Sequence, residues 1–180
     1  MKRWIIGSVI GAIIVFAWQA ASWMFLGVHD DSMKYHPAQN EIMNVISANT
    51  AEEGLYMLPY GATKEEQEKV MQEMEGKPWA TLIYHKSHSN QMTTQLIRGF
   101  LVDLVLVLLL VIILTKGGMP GFSGFFTGSL AVGAFTFLWG PYTGHIWFGL
   151  PWHMIRGDMI DAVAAWGLCG LWLGWWMNRK

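Results

Sequence analysis

Charged side chains are scarce in this sequence, and neither sign dominates. Asp, Glu, Lys and Arg make up 14% of the 180 residues, against about 25% in soluble domains, and the formal net charge is −1. Without a basic excess, we expect no nucleic-acid partner. Hydrophobic residues reach 53%, which excludes a disordered chain and argues against an ordinary soluble enzyme. The composition therefore indicates a membrane protein.

The sequence also lacks the common motifs of catalysis and redox chemistry. Its single cysteine, Cys169, excludes an intrachain disulfide, a CxxC pair and a CxxCH haem attachment. Neither a Gly-x-Ser-x-Gly elbow nor a His-Glu-x-x-His helix occurs. The chain has no two similar halves, so the inverted-repeat signature of transporters is absent. We predict that the protein is not an enzyme and carries no cofactor.

Four segments are long and apolar enough to cross a bilayer, which takes about 20 residues. They must be helical, because lipid offers open backbone groups no hydrogen-bond partner. The first should be an uncleaved anchor, since it exceeds the apolar core of a signal peptide and no A-x-A site follows it. The segments are Trp4–Val28, Gly99–Thr115, Phe122–Trp139 with an apolar continuation to Leu150, and Ile160–Met177.

The positions of Lys and Arg predict the orientation of these spans. By the positive-inside rule, the segment ends that carry the basic residues face the cytoplasm. Residues 28–98, with ten acidic and six basic residues, are then periplasmic. We predict a multi-pass protein of the bacterial inner membrane with both termini in the cytoplasm. The basic residues at these ends are Lys2, Arg3, Lys116, Arg179 and Lys180.

The long segment after the first span is predicted to form a small periplasmic cap. Pro37 suits the start of one helix, and Thr63–Glu66 is a capping box that should open another. Trp79–Tyr84 is predicted to be a strand, and Gly54–Pro59 an extended apolar linker. Such a segment buries too little area to be stable alone, so we expect it to lie over the spans or against a partner chain. The first helix has an apolar stripe of Ile42, Met43, Val45 and Ile46.

The predicted fold class is therefore an all-α membrane protein with four transmembrane helices and a small periplasmic cap between spans 1 and 2. Residues 1–28 form a cytoplasmic tip and the first transmembrane helix. Residues 29–94 form the periplasmic segment, and residues 95–180 hold transmembrane helices 2–4.

Asp103 is the most informative residue, because it lies within an apolar segment. At 1.5 Å per residue it is about 20 Å from Lys116, where a carboxylate costs about 2.5–3.5 kcal/mol and should face protein or water. It could be a proton relay, an ion ligand or a ligand anchor. The alternative is a structural role, in which the Asp103 carboxylate hydrogen-bonds to a neighbouring helix or pairs with Arg98 or Arg156. We favour it because Arg98 is only five residues away.

Residues 140–161 combine glycine, proline, aromatic and charged residues. One hypothesis is a pocket at the outer end of the spans. The alternative, which we favour because Trp and Tyr are common at that depth, is a kinked helix end with an interfacial aromatic belt. Asp158 and Asp161 are interpreted as caps of the fourth span. The candidate ligand or ion residues are Asp103, Tyr142, His145, Trp147, Trp152, Arg156 and Asp161.

The histidines do not predict a metal site. His85 and His88 are the closest pair, but residues three apart on an extended segment face opposite sides, so one metal would not bind both. Cysteine partners with zinc-site spacing are missing. A haem held between spans is not expected either, because no histidine lies within the first, second or fourth predicted segment.

The chain resembles the uncharacterised small four-span bacterial inner-membrane proteins. The residues that carry the resemblance are Gly54–Pro59, Ile146–Pro151 and the following Asp161–Val163. The resemblance implies the layout of one span, an outer loop and three further spans, and carries over no activity.

Two hypotheses for function follow. The first is a non-catalytic accessory or assembly subunit of a larger inner-membrane complex, for example a respiratory or photosynthetic one. Its partners would be membrane lipid and other integral membrane subunits, because almost nothing of the chain is exposed to the cytoplasm. The alternative is a small transporter or ligand-binding membrane protein that uses Asp103 and residues 140–161.

Overall fold

The computed structural model describes residues 2–119 and 121–179, most of which are helical. The chain divides into two compact units. We call them the bundle, which holds the residues up to 34 and from 91 on, and the polar unit, which holds residues 35–90. The helices are α1 (Lys2–Met24), α2 (Gln39–Asn49), α3 (Lys64–Glu73), α4 (Met92–Lys116), α5 (Gly121–Phe137), α6 (Thr143–Phe148) and α7 (Trp152–Met177). The strands are β1 (Gly54–Leu58) and β2 (Ala80–Tyr84).

Four helical segments of the bundle are long and apolar enough to span a membrane, which confirms the prediction of four such segments. The shortest has 23 residues and reaches about 35 Å at 1.5 Å per residue, more than the roughly 30 Å of a bilayer core. The segments are Lys2–Met24, Met92–Lys116, Gly121–Phe148 and Trp152–Met177.

The helices begin and end at other residues than the hydropathy predicts. α4 begins at Met92 and α7 at Trp152, because the helical backbone continues through polar first turns that lower the mean hydropathy. α1 ends at Met24, and the chain then turns at Gly27, whose φ of 65° suits glycine. The third span contains a π-helical turn, Leu138–Tyr142, around Pro141, which lacks a backbone donor.

Helix α7 is the centre of the bundle. It packs against both α1 and α5, and α1 also packs against α4. We call the end of the bundle where α1 ends and α4 and α7 begin the loop end, and the opposite end the terminal end. The main buried core is formed by Ala12, Val15, Val107, Leu110, Val111, Leu114, Phe125, Ala165, Trp166, Cys169 and Leu173.

Small residues allow these helices to approach closely. A Cβ on Gly170 would lie 2.8 Å from the Cβ of Ser129, across the α5–α7 contact. A Cβ on Gly11 would lie 2.8 Å from Val107 Cγ1, across the α1–α4 contact. Where α1 meets α7, the indole nitrogen of Trp172 donates to the carbonyl oxygen of Gly7 at 2.9 Å. The helices of the bundle are therefore held at distances that larger residues would not permit.

The polar unit contains two helices and a two-stranded sheet. The predicted linker is strand β1, which pairs antiparallel with β2 so that Gly54 lies opposite Tyr84. Thr63 accepts from the Glu66 backbone N–H at 3.2 Å, which confirms that half of the capping box. The Glu66 carboxylate reaches back to the Ala62 backbone N–H, one residue before the position that the motif predicts. The polar unit is thus an α/β element within a mostly helical chain.

The close contact at Gly133 gives a test of this packing. A Cβ there would collide with the Ala162 carbonyl oxygen and lie 3.0–3.1 Å from Trp166, so Gly133→Ala should lower the free energy of unfolding by about 1–3 kcal/mol. Gly167→Ala is the matched control, because its Cβ would meet only Leu130 at an ordinary 3.5 Å. Unfolding in mixed micelles measures both variants. Equal stability of the two would contradict the proposed close packing of α5 on α7.

Candidate functional site

A polar cluster lies inside the bundle near its loop end, and Asp161 is its acceptor. Asp161 Oδ1 accepts from the Trp18 indole at 2.9 Å and from the Ser22 hydroxyl at 2.6 Å. The two donors are four residues apart on α1, so both point toward α7. These contacts correct the capping interpretation of Asp161, since α7 begins at Trp152 and its N-cap residue is Pro151.

His29 provides the third donor to Asp161. Its Nε2 lies 2.9 Å from Asp161 Oδ2, and the imidazole donates to this oxygen in the tautomer that carries its proton on Nε2. His29 is only 6% exposed, and its ring stacks on Trp23 at a centroid distance of 3.9 Å. A Cβ on Gly157 would lie 2.6 Å from this ring, so the glycine leaves the space that the imidazole fills. The segment that follows α1 is therefore fixed onto α7.

Arg156 ties the same segment to α7 at the surface. Its guanidinium donates to Asp31 Oδ2 at 2.5 Å, and both side chains are half exposed. An exposed pair of this kind contributes little to stability, about 0–1 kcal/mol. It does exclude the predicted pairing of Arg156 with Asp103. Arg156 thus acts in positioning the loop rather than in the interior.

Asp103 lies near the middle of α4 and is 4% exposed. Its Oδ1 accepts a long hydrogen bond of 3.4 Å from the Gln19 amide, while Oδ2 has no hydrogen-bond partner among residues 2–119 and 121–179. Within the same residues no ion pair involves Asp103, so Arg98 is not its partner. Burying a carboxylate oxygen without a hydrogen-bond donor costs free energy of folding. The surroundings of Oδ2 should therefore explain why it has none.

What lies beside Asp103 is a cavity of about 440 Å³. Its polar wall consists of Gln19, Asp103, Thr136, Asp158 and Asp161. Gln19 and Asp103 also line a second cavity of about 350 Å³, together with Arg98 and Gln95. The rest of the larger cavity is lined by Val15, Trp23, Leu106, Phe137, Pro141, Ala162, Ala165 and Trp166.

The kinked third span forms one wall of the larger cavity. Thr136, Phe137 and Pro141 line it at the point where the helix changes from α to π geometry. The wider turn results from the missing proline donor, and such π turns often occur at functional sites. The cavity is therefore bounded by α1, α4, the third span and α7.

None of the aromatic candidates from residues 140–161 is among the residues that line this cavity. Tyr142 and Trp152 flank His145 at ring distances of 6.0 and 6.2 Å, and His145 Nδ1 lies 2.5 Å from the Leu150 carbonyl oxygen. Trp147 is 72% exposed. Tyr142, His145 and Trp152 therefore pack at the turn between α6 and α7, while of the candidate residues Asp103 and Asp161 line the acidic cavity.

The remaining histidine predictions concern metals and haem. His85 Nδ1 lies 3.9 Å from Glu53 Oε2, and no group of three or more His, Cys, Asp or Glu within residues 2–119 and 121–179 is placed to hold a metal ion. The statement that no histidine lies in the fourth span is wrong, because His153 belongs to the first turn of α7.

Sequence analysis missed the residues of α1 that complete the cluster. Trp18, Gln19, Ser22 and Trp23 are polar or amphipathic residues in the last two turns of α1. Gln19, Ser22 and Trp23 lie within about one helical turn of each other, and this spacing in the sequence indicates a polar patch on one part of α1.

Comparison with known proteins finds no matching family model, no matching curated protein and no matching solved structure.

Loss of the Asp161 acceptor should destabilise the bundle. Asp161→Ala leaves three donors without their partner, and we expect a loss of about 2–5 kcal/mol in the free energy of unfolding. Asp158→Ala is the matched control one turn away, since Asp158 makes no hydrogen bond among the described residues, and it should change stability by about 1 kcal/mol or less. Unfolding in mixed micelles compares the two. An equal loss of unfolding free energy in Asp158→Ala would argue against a specific stabilising role of the Asp161 hydrogen bonds.

Proposed function

We propose that this chain is an integral membrane protein that binds a small molecule in the acidic cavity of its bundle. The observation that carries the proposal is Asp103, a buried carboxylate whose Oδ2 lacks a donor and which lines the cavity. Ionisable residues within membrane spans are costly to keep and commonly mark ligand or ion sites. A ligand that donates to Asp103 would supply the missing partner.

The size and composition of the cavity support this proposal. Its volume of about 440 Å³ falls in the range of about 300–1,000 Å³ that is usual for small-molecule sites. The wall combines apolar and aromatic side chains with a few polar groups, which is the usual composition of such sites. The polar groups come from α1, α4, α5 and α7, so the binding position depends on the assembled bundle.

The proposed location is the bacterial inner membrane, with the terminal end of the bundle in the cytoplasm. Lys2, Arg3, Lys116 and Arg179 all belong to the terminal end, where the positive-inside rule expects the cytoplasm. The loop end and the polar unit would then face the periplasm. In this orientation the cavity, which lies toward the loop end, would exchange its ligand with the periplasmic side.

Thiol labelling tests whether the cavity is open to small molecules. Ala162 lines the cavity, so Ala162→Cys in a Cys169→Ala background should react with N-ethylmaleimide in the folded protein in detergent. Wild-type protein is the control, because Cys169 is fully buried and should stay unmodified until the chain is denatured. Intact-mass spectrometry gives both rates. An Ala162→Cys thiol as inert as Cys169 would mean a closed cavity and would refute the proposed function.

The second candidate function is a non-catalytic accessory or assembly subunit of a larger membrane complex. The observation that favours it is the apolar stripe of α2 in the polar unit, where Ile42, Met43 and Val45 are all exposed. Exposed apolar side chains that follow one another along a short helix are typical of a surface that another protein covers. The two functions are compatible, because the stripe and the cavity belong to different units.

Gentle solubilisation tests the second candidate. The full-length chain, purified in a mild detergent, should carry one or more stoichiometric partners that mass spectrometry identifies. Ile42→Glu with Val45→Glu should release them, because the charges oppose burial of the stripe. Asn40→Glu with Asn44→Glu is the matched control, since it adds the same charge at exposed polar positions of α2. A folded chain that purifies alone would argue against a subunit role.

A further inference from the structure

The wall of the larger cavity carries charge of one sign. Asp103, Asp158 and Asp161 line it, and no Lys, Arg or His is among its lining residues. Asp161 is partly compensated by donors from outside the wall, Ser22 at 2.6 Å and Trp18 and His29 each at 2.9 Å. Asp103 and Asp158 have no cationic partner within 4.0 Å among residues 2–119 and 121–179. The electrostatic potential in the cavity therefore favours a cation over a neutral molecule or an anion.

A free acceptor in the wall adds a second requirement. Asp103 is 4% exposed, and its Oδ2 has no hydrogen-bond partner in the described chain. Gln19 reaches only the other oxygen, at 3.4 Å. A ligand that carries an N–H group can donate to Oδ2, and a charge-assisted bond of this kind is about twice as strong as a neutral one. An acceptor without a donor thus selects for a ligand with a polar hydrogen.

The apolar part of the cavity wall indicates what the uncharged part of the ligand is. It is apolar and aromatic, with Trp23 and Trp166 as the largest members. Indole faces attract organic cations, while apolar side chains give no ligands to a bare metal ion. No group of three or more His, Cys, Asp or Glu in the described residues is placed to hold a metal. The wall therefore suits a cation with a hydrocarbon body better than it suits an inorganic ion.

We infer that the cavity takes an organic ammonium ion: a primary, secondary or tertiary amine in its protonated form, with an apolar or aromatic body. This inference rests on the proposed function and names its class of ligand. The ammonium N–H donates to Asp103 Oδ2, Asp158 and Asp161 supply the surrounding negative field, and the hydrocarbon body lies against Trp166, Phe137 and Leu106. Binding would give a donor to Asp103 Oδ2, which with Ser8 Oγ is one of two buried side-chain polar atoms that lack a hydrogen-bond partner among residues 2–119 and 121–179.

Protection from labelling tests the inference with four probes of similar shape. Phenethylammonium has both charge and N–H, benzyltrimethylammonium has charge alone, 2-phenylethanol has a neutral donor, and phenylacetate is an anion. Each is titrated against N-ethylmaleimide labelling of Ala162→Cys in the full-length Cys169→Ala chain. We expect phenethylammonium to protect at a concentration at least tenfold lower than the other three. Equal protection by 2-phenylethanol or phenylacetate would overturn the inference and leave the proposed function standing.

Two variants identify the residue responsible. Asp103→Asn should raise the half-protecting concentration of phenethylammonium at least tenfold, because it removes the charge at the acceptor. Asp30→Asn is the matched control, since it removes the same charge from an exposed position of the loop, and it should leave protection unchanged. Undiminished protection in folded Asp103→Asn protein would overturn the assignment of Asp103.

A second measurement needs no change at Asp103, so it holds even where Asp103→Asn fails to fold. The Ala162→Cys thiol is treated with the cationic 2-aminoethyl and with the anionic 2-sulfonatoethyl methanethiosulfonate. Each rate is divided by the rate of the same reagent with the exposed thiol of an Asn40→Cys variant. The cationic reagent should be favoured at least tenfold. Equal normalised rates would overturn the cation preference. If neither these reagents nor N-ethylmaleimide modifies the cysteine, the cavity is closed, and the proposed function fails together with the inference.

Discussion

The fastening of Asp161 by donors from the first helix and the loop that follows it is the interaction on which the loop end of the bundle depends. Trp18 and Ser22 approach one carboxylate oxygen and His29 the other. Ser22 and His29 are buried, so little water competes for their hydrogen bonds to this acceptor. The contacts join α1, its following loop and α7 in one arrangement.

Close packing of the helices makes that arrangement possible. α7 can approach α5 because glycines stand where larger side chains would collide, and Gly157 leaves room for the His29 ring. Tryptophans that the sequence allows to face lipid turn inward instead, where Trp18 and Trp172 donate to acceptors on other helices. Small residues and large aromatic ones therefore act together, the former by giving space and the latter by filling it.

Asp103 contrasts with Asp161 in a way that bears on function. Both are carboxylates within the bundle, yet Asp161 has three donors and Asp103 has one distant amide. The first is a structural element that the fold satisfies by itself. The second faces a cavity, and the fold alone does not supply its partner. This difference is the reason why we place ligand binding at Asp103 and stability at Asp161.

The sequence by itself determined the four long apolar helices, the capping of α3 by Thr63 and the strand that begins near Trp79. These features depend on the apolar content and capping chemistry of neighbouring residues, which a sequence displays directly. Only the tertiary structure decided that Asp161 is an acceptor rather than a helix cap, that His29 is buried, and that Asp103 lies beside a cavity. Each of these depends on residues more than 80 positions apart, and no local pattern specifies which of many possible partners the packed helices bring into contact.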